Sequence, residues 1–204
     1  MSYATLIRRC ALAAVLGGVA YASQGFLVLI AAHFLASPSD ELGVSQVPRY
    51  LEDVFLFLLL LGVMAAIAGL HTLQRERYGW LGALCSLTAL VGTVLLLAGA
   101  VLETLAGPAF EASLWFLIPG LLVATVGLVS LGSVTMSARV LSRWVGALVI
   151  LGSPLSYFLL IFALAVLLPF ETMLSPLLVG VAWALVGYAL LRQVRDDRPH
   201  NPRV

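Results

Sequence analysis

The sequence predicts an all-α integral membrane protein with six transmembrane helices arranged as three tandem helical hairpins. Three observations carry this reading. The 204 residues are 62% hydrophobic and only 10% charged, whereas a soluble domain averages about 25% charged residues. Apolar runs near the ~20 residues that a helix needs to cross a bilayer recur along the whole chain. A small-residue pattern, G-x-x-x-A-x-x-G-φ-x-x-L with φ a large apolar residue, occurs three times, its copies beginning 58 and 60 residues apart.

Spans are expected over 10–36, 54–73, 79–102, 113–135, 143–168 and 173–192, followed by a short polar tail over 193–204. No long polar segment remains for a large extramembrane domain. Arg8 and Arg9, an apolar run and Ala20-Tyr21-Ala22 imitate a cleavable signal peptide. The apolar run continues through Phe26 to Ala32, however, so the segment is read as a retained span. The first outer loop, 37–53, is the longest; Pro38 and Pro48 bracket its turn-rich part, and Arg49 to Asp53 reads as a short interfacial helix leading into span two. The other connections are short, so neighbouring helices must pack antiparallel. Span five contains Pro154, which has no N–H to offer the carbonyl of Ile150. A kink is expected there, and in lipid the freed carbonyl must find another donor.

The even spans carry the repeated pattern. Its small residues are Gly62, Ala66 and Gly69, then Gly120, Ala124 and Gly127, then Gly180, Ala184 and Gly187. At helical spacing the first, fifth, eighth and twelfth positions fall within about 60° of one another. Such a stripe lets helix backbones approach closely in lipid, where packing drives association. The odd spans repeat more weakly: Arg77 and Arg143 each precede an interfacial aromatic and a Gly-Ala-Leu. Tandem hairpins imply pseudo-symmetry about an axis along the membrane normal. The Pro-x-[Asp/Glu]-x-x-[Lys/Arg] signature of carriers of the mitochondrial type, which also use three hairpins, is missing.

Charge sets the orientation. Every basic residue is an arginine, and Arg8, Arg9, Arg75, Arg77, Arg139, Arg143, Arg192, Arg195, Arg198 and Arg203 lie on one side, with only Arg49 on the other. The positive-inside rule then makes both termini cytoplasmic. Asp40, Glu41, Glu52, Asp53, Glu103, Glu111 and Glu171 fall on the opposite face. A composition heavy in Ala, Leu, Gly, Val and Arg suits a GC-rich bacterial genome, hence a multi-pass protein of the bacterial cytoplasmic membrane. Cys10 and Cys85 both fall toward the cytoplasmic ends of their helices and form neither a disulfide framework nor a zinc pattern, so no cofactor or metal is expected. No basic patch with interleaved aromatics points to nucleic acid.

Signatures of hydrolases, metalloproteases and nucleotide-driven pumps are absent, and no paired carboxylates sit at depth, which argues against an enzyme. Polar groups at membrane depth are the place to look for function. Tyr21 and Gln24 share a face of span one, and Ser153, Ser156 and Tyr157 share a face of span five. With Glu103, at the outer end of a polar track on span three, they form the candidate ligand-binding set. His33 falls near the same outer rim, and His71 reads as interfacial. Trp80, Trp115 and Trp144 start helices, as aromatic belts do, whereas Trp183 is deeper. The expected function is binding or transport of a small solute through a pocket between spans one and five, open to the acidic outer face. The alternative is a non-catalytic accessory or assembly subunit, whose stripes meet a membrane-protein partner or a second copy of itself within the bilayer.

Overall fold

A computed structural model describes residues 3–34, 49–106, 113–138, 141–156, 159 and 171–196; the side chains at 28–29, 31–34, 49–50, 171–174 and 196 lie outside the description. The described residues form helices and their turns, with no strand among them. The helices are α1 (Tyr3–Phe34), α2 (Arg49–Ala106), α3 (Leu114–Ala138), α4 (Arg143–Leu151) and α5 (Glu171–Asp196). Among the described residues, four helices are long and apolar enough to cross a membrane: α1, α2, α3 and α5. A helix satisfies its own backbone polar groups, which is the condition for residing in lipid. The chain is thus a helical, membrane-embedded protein.

α2 is two helices in one. Gly79 breaks it with φ 58° and ψ −148°, a conformation essentially restricted to glycine. The arms, residues 49–78 and 80–106, fold back on each other. The hydroxyl of Thr104 donates to the carboxylate of Asp53 at 3.0 Å across a separation of 51 residues, which would be about 77 Å along a continuous helix. Residues 49–53 begin the first arm directly instead of forming a separate interfacial helix. The loop expected between spans two and three also shrinks, because the first arm runs on to Tyr78 and only Gly79 turns.

Small residues set the seams. A Cβ on Gly62 would sit 2.9 Å from the carbonyl oxygen of Ala13 and 3.2 Å from Gly17, so the first arm of α2 rests on α1. The second arm rests on α3 through Gly92 against Ala124 and Gly127 against Ala89. Gly132 of α3 meets Gly146 of α4. Gly180 and Ala184 of α5 meet Gly18, and Gly187 meets Ala11 and Val15. The adjacent glycines of α1 thereby serve two partners, Gly17 facing α2 and Gly18 facing α5. A strict threefold repeat would seat the third stripe on the segment before it; here it closes a ring back onto α1. α4 in turn packs against α3 and α5.

Arg8, Arg9, Arg75, Arg77, Arg143, Arg192 and Arg195 gather at one end of this ring. The Tyr3 hydroxyl donates to the Thr72 carbonyl, Gln74 accepts from Thr135, and Arg8 and Arg195 line one groove. The core of that half is a plug of Ile67 and Leu70 from α2, Leu128 and Leu131 from α3, and Val186 and Leu190 from α5, all buried.

Candidate functional site

Above the plug, away from the described arginine side chains, the helices line a half-open chamber of about 190 Å³ to which every helix or its flank contributes. α1 supplies Tyr21, the first arm of α2 supplies Leu59 and Val63, and the second arm supplies Thr93 and Leu96. Leu121 and Leu128 come from α3, Val179 and Trp183 from α5, and Gly152, Ser153 and Pro154 from the segment that follows α4.

That segment is shaped by Pro154. α4 stops at Leu151, and the backbone N–H of Gly152 closes the last turn on the carbonyl of Leu148 at 2.8 Å. The carbonyl of Ile150, which proline cannot serve, accepts from the Ser153 hydroxyl at 2.6 Å and from the Ser153 N–H at 3.1 Å. The carbonyl of Gly152 points across the bundle and accepts from the indole Nε1 of Trp183 at 2.9 Å. The carbonyls of Ile150 and Gly152 are thus each met by a nearby donor, as burial requires.

The chemistry left in the chamber is narrow. Thr93 donates its hydroxyl proton to the carbonyl of Ala89 at 2.8 Å, Ser153 donates to Ile150, and Trp183 donates to Gly152. These three donors are spent, and the Tyr21 phenol is the other polar side chain in a mostly apolar lining. No acidic or basic side chain lines it among the described residues. An engineered apolar cavity of about 150 Å³ stays dry and binds benzene, so this chamber suits a small molecule with a mostly apolar body.

The candidate set divides accordingly. Tyr21 and Ser153 line the chamber together. Gln24 is one helical turn further from the arginine end than Tyr21, and its Oε1 is buried with no hydrogen-bond partner. Ser156 turns into its own backbone, donating to the carbonyls of Ser153, at 2.7 Å, and Leu151. Glu103 is half-buried beside the Thr104–Asp53 contact and does not line the chamber. Tyr157 lies outside the described residues, as does the side chain of His33. Thr93 is a chamber residue that the sequence reading passed over; its only signal was a hydroxyl at mid-depth of an apolar span.

A second polar group lies below the plug. His71, Gln74 and Tyr78 share one face of the first arm; His71 Nδ1 and Gln74 Nε2 are buried without a partner, and the Tyr78 phenol lies beside Thr135. Gln74 is wholly buried, and its Oε1 accepts only a long 3.4 Å bond from Thr135, whose hydroxyl also donates to Leu131 at 2.8 Å. His71 and Tyr78, by contrast, are half-buried. Among the described residues, no His, Cys, Asp or Glu group is arranged to hold a metal ion.

No protein-family model, curated protein or solved structure matches this chain.

Proposed function

We propose that the protein binds a small, largely apolar solute in this chamber and carries it through the bilayer. In this reading the chain crosses the membrane six times: α1, the two arms of α2, α3, the segment begun by α4, and α5. The arginine end is cytoplasmic, as the positive-inside rule expects, and the membrane is the cytoplasmic membrane of a bacterium. The observation that carries the proposal is the half-open chamber itself, lined by all the helices and bounded toward the arginines by the Leu70–Leu131–Leu190 plug. A chamber bounded on one side and a second polar cluster beyond the plug are what alternating access to a solute needs. The apolar walls move the expected solute away from cations and toward hydrocarbon-like molecules.

The test is ¹⁹F NMR of fluorobenzene with the protein in lipid nanodiscs, empty discs correcting for partition into lipid. Wild type should give a saturable bound resonance, and Leu121→Trp, which fills the chamber, should lose it. Absence of saturable binding to wild type would defeat the proposal and favour an accessory subunit, to be sought through a co-purifying membrane protein.

A further inference from the structure

One turn beyond the chamber wall, α1 carries Gln24 on the face of Tyr21, and α5 carries Ser175 on the face of Val179. The antiparallel seam that sets Gly18 against Gly180 and Ala184 brings these two residues level with each other. Gln24 Oε1 and Ser175 Oγ are both buried, and neither has a hydrogen-bond partner. Ser175 is only 1% exposed. Pro176, inside α5, has no N–H, so the carbonyl of Thr172 lacks its helical donor at the same level. Buried polar atoms are nearly always paired, so two unmet atoms one turn beyond the lining of an apolar chamber call for a polar occupant.

We propose that Gln24 and Ser175 form the polar subsite of the chamber and that its ligand is an amphiphilic alcohol. The inference rests on the solute-binding reading above and names the solute class. A hydroxyl both donates and accepts: it donates to Gln24 Oε1 and accepts from the Ser175 hydroxyl. A carboxylate only accepts, leaving Gln24 Oε1 facing another oxygen. An ammonium only donates, leaving the Ser175 proton unmet, and no described carboxylate lines the chamber to offset its charge. A plain hydrocarbon satisfies neither residue.

Fluorobenzene and 4-fluorophenol, which differ by one hydroxyl, test this in nanodiscs by the same ¹⁹F titration. Wild type should prefer 4-fluorophenol by about five- to tenfold after correction for lipid partition, the worth of one hydrogen bond. Gln24→Leu and Ser175→Ala should each bring the preference close to one while fluorobenzene binds as before. Ser175→Ala removes a single oxygen and carries the test alone if Gln24→Leu does not fold. Equal wild-type affinities, or a preference that survives the substitutions, would overturn the subsite and leave the chamber standing. Failure of wild type to bind either compound would instead remove the chamber as a binding site.

Discussion

The indole Nε1 of Trp183 donates to the carbonyl oxygen of Gly152 at 2.9 Å, tying the middle of α5 to the first residue beyond α4. The bond joins two features that the sequence holds 31 residues apart: a deep tryptophan and a helix broken by proline. It also fixes one wall of the chamber, because both residues line it.

Trp183→Phe should therefore leave the Gly152 carbonyl buried without a donor and lower stability by about 1–3 kcal/mol, measurable by titrating folded protein with a denaturing detergent. Fluorescence gives an independent readout. Trp80, Trp115 and Trp144 are 72%, 80% and 78% exposed on the rim of the bundle, whereas Trp183 is 1% exposed. Lipids brominated along the chain and near the headgroup should quench the three rim residues and spare Trp183. The unquenched fraction should vanish in Trp183→Phe; a residual fraction would mean that another tryptophan is also shielded.

Alanine at Gly18 and at Gly79 should destabilise for different reasons. A Cβ on Gly18 would run into the Ala184 nitrogen and lie 2.6 Å from the Gly180 carbonyl oxygen. Both are backbone atoms, so α1 and α5 must separate, at a cost of about 1–3 kcal/mol or more. A Cβ on Gly79 meets nothing within 4 Å, and its cost of about 1–3 kcal/mol is purely conformational. The two sites share no partners, so the double variant should show the sum of the single effects. Strong non-additivity would show that the α2 turn and the α1–α5 seam form as one unit.

Much of this was legible in the sequence because lipid imposes simple rules. α3 over Leu114–Ala138 and α5 over Glu171–Asp196 lie close to the expected spans 113–135 and 173–192, since hydropathy alone sets them. The need for a donor to Ile150 followed from the covalent structure of Pro154, and Ser153 meets it. Ring closure was not legible: the third stripe reads like the other two, and only packing decides that Gly180 meets Gly18 rather than the preceding segment. Within the candidate site, spacing put Tyr21 and Gln24 on one face but could not say where the chamber stops between them. Ser156 was misleading for a local reason, because a serine after a helix break can bond its own backbone. Gln74 gave no signal at all, since a glutamine beside Arg75 resembles any residue of an arginine-rich turn.

Gln74 yields a prediction of opposite sign. Its amide is wholly buried, the Nε2 has no partner, and the Oε1 contact to Thr135 is long at 3.4 Å. Replacing a poorly paired buried amide with an apolar group of similar shape removes a desolvation cost of about 1–3 kcal/mol. Gln74→Met should thus raise stability in the same detergent titration. A loss would mean that bound water holds the amide, making the His71–Gln74–Tyr78 face a wet site at the arginine end.

Orientation is open to direct measurement with single cysteines after Cys10 and Cys85 are replaced. The arginine end of the bundle brings together the bend of α2, the start of α4 and the end of α5, whereas Asp53 and Thr104 meet at the other end. A cytosolic arginine end requires that a cysteine at Ser142, exposed at the start of α4, react with a membrane-impermeant maleimide only after cells are permeabilised. A cysteine at Ser45, which falls between α1 and α2 in the sequence, should react in intact cells. A cysteine at Arg75 should behave like Ser142, because only the turn at Gly79 separates the two arms of α2. If Arg75 and Ser142 disagreed, the six-crossing topology would fail, because the two positions would lie on opposite sides of the membrane. If all three positions reversed together, the helical arrangement would stand and only its direction would change, with the chamber then facing the cytoplasm.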